Sequence, residues 1–141
     1  TSQMKQLFIN LPVKDVEASM EFYEQLGFII NPLFTFDHQK CMVWGDQIYL
    51  MLQTYEMFES GCKKSIPDTQ QNVIVTFTLT VESIESVNKI VENGLKAGGT
   101  EPTPMRDEGF MQVRNIEDID GHNWGIAYLN IEKFREITGR K

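Results

Sequence analysis

Four groups of residues could do chemistry by type and spacing, and each is undone by its neighbours. Cys41 lies within a strand-like run between Lys40 and Met42, with no His set beside it by the sequence. Cys62 precedes Lys63 and Lys64, whose charge would lower a thiol pKa, but an exposed loop cysteine is ordinarily inert. Neither cysteine forms a Cys-x-x-Cys or Cys/His motif, so neither structural zinc nor a disulfide is expected. Asp118-x-Asp120-Gly121 opens like a calcium loop, yet position 116 is Ile and the residue six past Gly121 is Ala127 instead of Glu, so no calcium site is read there. Gly98-Gly99 is followed by no Lys-Ser/Thr pair, which makes it a helix stop and not a phosphate loop. What remains in quantity is aromatic and sulfur surface. Nine Phe, seven Met, four Tyr and two Trp exceed what one small sheet interior needs, and strand alternation sends about half of those on strands to a second face.

The elements that must position these residues repeat. Residues 6–13 are a short apolar run of strand length. Asp15 then caps a helix over Val16–Leu26, with Val16, Met20, Tyr23 and Leu26 at helical spacing and Gly27 ending it. Residues 28–36, 40–45 and 47–54 read as three strands. Residues 55–72 hold Gly61, Lys63, Lys64, Pro67 and Asp68 and read as a surface segment. The pattern then restarts with a strand over 72–81 and a helix capped by Ser83, with Ile84, Val87, Ile90, Val91 and Leu95 on its buried face. Strands over 100–104, 110–116 and 123–129 follow, and a helix-prone tail closes the chain. Sliding by the 68 residues that separate Asp15 from Ser83 lays Phe8 on Thr76, Asn10 on Thr78, Leu11 on Leu79 and Val13 on Val81. The expected organisation is a first module over 1–57, a linker over 58–71, a second module over 72–130 and a tail over 131–141.

Two stretches carry a resemblance. The run from Leu11 to Phe28, with Asp15, Phe22-Tyr23 and Leu26-Gly27-Phe28, resembles the opening of the glyoxalase / bleomycin-resistance / extradiol-dioxygenase group, the vicinal oxygen chelate superfamily. Asp118-Ile119-Asp120-Gly121-His122-Asn123-Trp124 is similar to the Asp-Gly-His-x-Trp turn of that group, which gives His122 a role in the turn beside Trp124. The resemblance implies an α+β fold of two βαβββ modules, forming curled mixed sheets around a cleft and often completed by homodimerisation. It also implies divalent-metal ligands: His or Gln seven residues before the first helix cap, a matching His in the second module, and Glu on late strands of both. Here those positions hold Phe8 and Thr76, then Met51 (with Leu50 as the register alternative) and Gly125. A benzyl ring, a hydroxyl, a thioether and a bare backbone offer a hard cation little, so no metal and no cofactor are expected. The same departure argues against glyoxalase I or dioxygenase activity.

The expectation is a glyoxalase-like protein that binds a small organic ligand, cationic and antibiotic-like in one version. The residues expected to hold it are Phe8, Asn10, Met51, Thr76, Thr78 and Gly125, with Phe110 and Gln112 at the rim. The alternative is a divalent-metal lyase, isomerase or dioxygenase-type enzyme that recruits ligands from elsewhere. Thirteen Lys and Arg against 20 Asp and Glu give a net charge of −7, which repels nucleic acid and anionic membranes and favours neutral or cationic small molecules. With no membrane-length apolar run and no apolar signal core in Thr1 to Gln6, the expected location is cytoplasmic and the expected assembly a homodimer.

Overall fold

The computed structural model describes residues 5–141; residues 1–4, where the expected first module begins, lie outside the described residues. The chain divides into two compact units, Thr1–Asn72 and Val73–Lys141.

In the first unit, strand β1 (Leu7–Pro12) leads into helix α1 (Val16–Leu26), whose start is fixed by Asp15 accepting the N–H groups of Glu17 and Ala18, each at 3.1 Å. Gly27 ends the helix at φ +120°, a conformation that a side chain would strain. Three more strands, β2 (Ile29–Ile30), β3 (Gln39–Trp44) and β4 (Ile48–Gln53), complete a sheet of order β1-β4-β3-β2, with β1 parallel to β4 and the other pairs antiparallel. Leu11, Phe22, Tyr23, Leu26, Met42, Leu50 and Leu52 are each at most 2% exposed and form the core between α1 and one sheet face.

Two local expectations change. The strand expected over 28–36 is only Ile29–Ile30, because Asn31 takes the N–H of Leu33 at 3.0 Å and Pro32 starts a 3-10 turn over Pro32–Phe34. The surface segment opens with a helix, α2 (Tyr55–Ser60), capped by Thr54 accepting the N–H of Met57 at 3.2 Å.

The second unit repeats the plan. Strand β5 (Thr76–Val81), helix α3 (Ile84–Lys96) and strands β6 (Arg106–Asp107), β7 (Met111–Glu117) and β8 (Asn123–Leu129) form a sheet of order β5-β8-β7-β6. A final helix, α4 (Ile131–Thr138), follows. Leu79, Val87, Val91, Ile116, Trp124 and Ile126 pack between α3 and the sheet. The strand expected over 72–81 begins only at Thr76, and that expected over 100–104 is reduced to a bridge between Thr100 and Glu117. Pro102 and Pro104 supply no ladder N–H there.

Arg114 ties this unit together. Its guanidinium donates in bidentate fashion to Glu101, with Nε to Oε2 and Nη2 to Oε1 both at 2.8 Å, and reaches Asn88 at 3.1 Å and Glu92 at 3.4 Å on α3. The hydrogen bonds from Arg114 hold the Glu101 carboxyl below its ordinary value, and Glu101 in turn raises Arg114. A carboxyl depressed in the folded state stabilises fully above its unfolded pKa, and that contribution drains away as pH falls through the folded value. Glu101→Gln is therefore expected to lower stability in urea unfolding near neutral pH and to cost progressively less as pH falls through the depressed folded-state value, below which the wild-type carboxyl is protonated in both states.

Candidate functional site

Cross-strand register decides which residues share a face. Phe8 pairs with Tyr49 and Asn10 with Met51, while Cys41 faces Met51 and Val43 faces Tyr49. All six side chains lie on the sheet face opposite α1, because their neighbours Leu11, Met42, Leu50 and Leu52 fill the α1 core. Phe8 stacks on Tyr49 with ring centroids 4.4 Å apart and planes 8° apart, and Phe34 meets Phe8 edge-on at 6.2 Å. Gln6 Nε2 donates to Tyr49 Oη at 3.1 Å. Phe8 stays 43% exposed, so this aromatic platform is open to a ligand, whereas Met51 beneath it is 7% exposed. Burial pushes the Cys41 thiol pKa up, which makes it a poor nucleophile.

The second sheet has the same register and different chemistry. Thr76 pairs with Asn123, and Thr78 with Gly125, which in turn faces Asn115. Met51 and Gly125 are thus equivalent positions, paired with Asn10 and Thr78, which the 68-residue offset superposes, and Leu50 belongs to the other face. A Cβ on Gly125 would sit 3.2 Å from Thr78 Oγ1 and 3.3 Å from Asn115 Oδ1, so the missing side chain leaves room that two polar groups already fill. Asn115 Nδ2 also donates to Thr103 Oγ1 at 3.4 Å.

Of the expected ligand-holding residues, Phe8, Asn10 and Met51 come together on the first sheet, and Thr76, Thr78 and Gly125 on the second. Phe110 and Gln112 join neither group. Phe110 packs edge-on against Phe134 of α4 at 4.7 Å, and Gln112 Nε2 is held by Asp107 Oδ1 at 2.9 Å. His122 is 2% exposed, and its N–H closes the turn onto Asp118 Oδ1 at 2.8 Å. The residues that the sequence reading left out are Tyr49, Phe34, Gln53 and Asn115. Tyr49 and Gln53 could have been found by counting two residues either way from Met51 along one strand. Phe34 was hidden by the expected strand.

The four positions where the resemblance implies ligands, Phe8, Met51, Thr76 and Gly125, do not fit a divalent ion. Among the described residues no group of three or more His, Cys, Asp or Glu is arranged to hold one.

Comparison with known proteins agrees with this geometry. Residues 5–45 match the family model of the bleomycin resistance protein-like N-terminal region. The structure is similar to that of hypothetical protein SA1046 from S. aureus, at 27% identity over 90% of this chain and 95% of that one, with a TM-score of 0.74. A glyoxalase/bleomycin resistance protein/dioxygenase family enzyme from Burkholderia phytofirmans PsJN is 16% identical over 89% of this chain and 99% of its own, also at TM-score 0.74. A glyoxalase-related enzyme from Fulvimarina pelagi is 21% identical, with 91% and 88% covered and a TM-score of 0.72. No curated protein matches the chain. The resemblance to the glyoxalase/bleomycin-resistance/dioxygenase superfamily is thereby borne out, and the fold of two four-stranded mixed sheets with helices is the one that superfamily shares.

Gly125→Ala is expected to destabilise the protein by about 1 kcal/mol, since its methyl group must displace Thr78 or Asn115. Adding Asn115→Ala should recover part of that loss in thermal melts, and a purely additive double variant would show that the two side chains do not compete for the space.

Proposed function

We propose that the protein binds a small organic cation with a flat or apolar body and holds it without turnover, in the manner of a bleomycin-resistance protein. The observation that carries this reading is the Phe8–Tyr49 stack, an open aromatic surface standing where the resemblance implies a metal-binding His or Gln. Aromatic faces attract cations and planar groups, and each such contact contributes about 1 kcal/mol. The chain's net charge of −7 favours a positively charged partner over an anionic one. The ligand-holding residues in this reading are Phe8, Asn10 and Met51 of the first unit, and the second unit carries its own hydrogen-bonding surface in the hydroxyls of Thr76 and Thr78 beside Gly125. A homodimer and a cytoplasmic location belong to the same reading. The homodimer rests on the resemblance, and among the described residues no helix is long and apolar enough to cross a membrane.

Titration calorimetry with a bleomycin-type cationic glycopeptide should give saturable heat at low salt and weaker binding at high salt. Phe8→Ala should weaken it about tenfold, the equivalent of roughly 1.4 kcal/mol. Absence of heat at both salts overturns the reading. So does stoichiometric nickel or zinc in the purified protein together with turnover of methylglyoxal hemithioacetal, which would favour the metal-dependent lyase.

A further inference from the structure

We propose that Gln53 gives the site its preference for ligands bearing an N–H donor, through a carboxamide oxygen whose identity is dictated by the backbone. The inference deepens the reading above and rests on it. A pocket of about 330 Å3 lies between α2 and the ends of β1 and β4, lined by Asn10, Gln53, Met57, Phe58, Ser60 and Cys62. Asn10 and Gln53 are on the same sheet face as Phe8 and Tyr49, so the pocket continues the aromatic platform toward α2.

Polarity enters through a chain of three groups. The carbonyl oxygen of Phe34 can only accept, and it takes Gln39 Nε2 at 2.9 Å. Gln39 must then present Oε1 on its other side, and Gln53 Nε2 donates to it at 2.8 Å. Gln39 is 5% exposed, so turning its amide over would set two oxygens against each other away from water. Both carboxamides are therefore oriented by the main chain. Gln53, which lines the pocket, is left with Oε1 as an oriented acceptor to which no described residue donates.

Among the described residues no charged side chain lines the pocket. A cation entering it is recognised by its N–H groups and not by an ion pair, and a carboxylate or ether would bring a second acceptor to Gln53. The ligand class that fits platform and pocket together is a primary ammonium carried on a flat apolar body. Gln53 is the specificity-determining residue, and Gln39 is a positioning residue that acts through it.

The test uses 2-phenylethylammonium and trimethyl(2-phenylethyl)ammonium, which share ring and charge and differ in N–H donors. Calorimetry on the wild-type chain should show the primary ammonium binding about tenfold tighter. Gln53→Met should bring that ratio to about one while leaving the trimethyl compound's affinity in place, a change that mere loss of structure would not produce. Saturating primary ammonium should also slow alkylation of Cys62 by iodoacetamide about threefold or more, because the thiol lines the same pocket. Equal binding of both compounds by the wild-type chain overturns the inference and leaves the aromatic reading standing, even if the Met variant does not fold. Binding of neither overturns both, and unslowed alkylation overturns the location.

Discussion

Strand register is the constraint on which the site depends. In each unit a parallel pair, β1 with β4 and β5 with β8, sets one row of side chains against a helix and turns the alternate row away from it. A slip of one residue would put Ile9 and Leu50 where Phe8 and Tyr49 stand, moving aliphatic core to the surface and aromatic rings into the space beside α1. The buried row specifies the register: Leu11, Leu50 and Leu52 under α1, and Leu79, Trp124 and Ile126 under α3, are nearly solvent-free. The side chains of the open row are thus held in place by hydrophobic burial on the opposite row. Each of those core side chains contributes about 2 kcal/mol to that choice.

The two units share this plan and spend it differently. The first presents stacked rings and a thioether; the second presents threonine hydroxyls, asparagine amides and a glycine at equivalent positions. Equivalent backbone with unequal side chains is how a duplicated architecture comes to carry an apolar surface in one unit and a hydrogen-bonding surface in the other. The Arg114 cluster shows the same division of labour elsewhere in the second unit, since its carboxylate and amide partners come from α3 and from the proline-bearing segment before β6.

Much of this was legible in the sequence, and the reasons are local. Helix α1 falls on its expected limits because Asp15 caps it and Gly27 stops it, both signals that act within a few residues. Strand β8 was equally plain, a seven-residue apolar run after an Asp-Gly turn. Met51 and Gly125 were picked out by the resemblance, and it is strand pairing, with Asn10 and Thr78, that makes them equivalent. The failures share a cause as well. Residues 28–36 have strand-like composition, but Asn31 and Pro32 divert the backbone by side-chain hydrogen bonding and a missing donor. Helix α2 is a six-residue piece with too few turns to show a period. Phe110 and Gln112 are expected at a rim because they follow the turn-like Asp107-Glu108-Gly109, a signal that says nothing of a ring packed against a later helix. The Gln39–Gln53 chain is a contact across two strands and a backbone carbonyl, and no spacing rule announces it.

The glycine at position 125 carries an implication for how such a scaffold could change. Restoring an acidic ligand there would do more than add charge. The incoming carbon would arrive against a hydroxyl and an amide oxygen on adjacent strands, so the neighbours would have to retreat before any chelate could assemble. Mutational paths toward metal chemistry from this sequence must therefore pass through positions 78 and 115 first, and those that try position 125 alone begin downhill in stability.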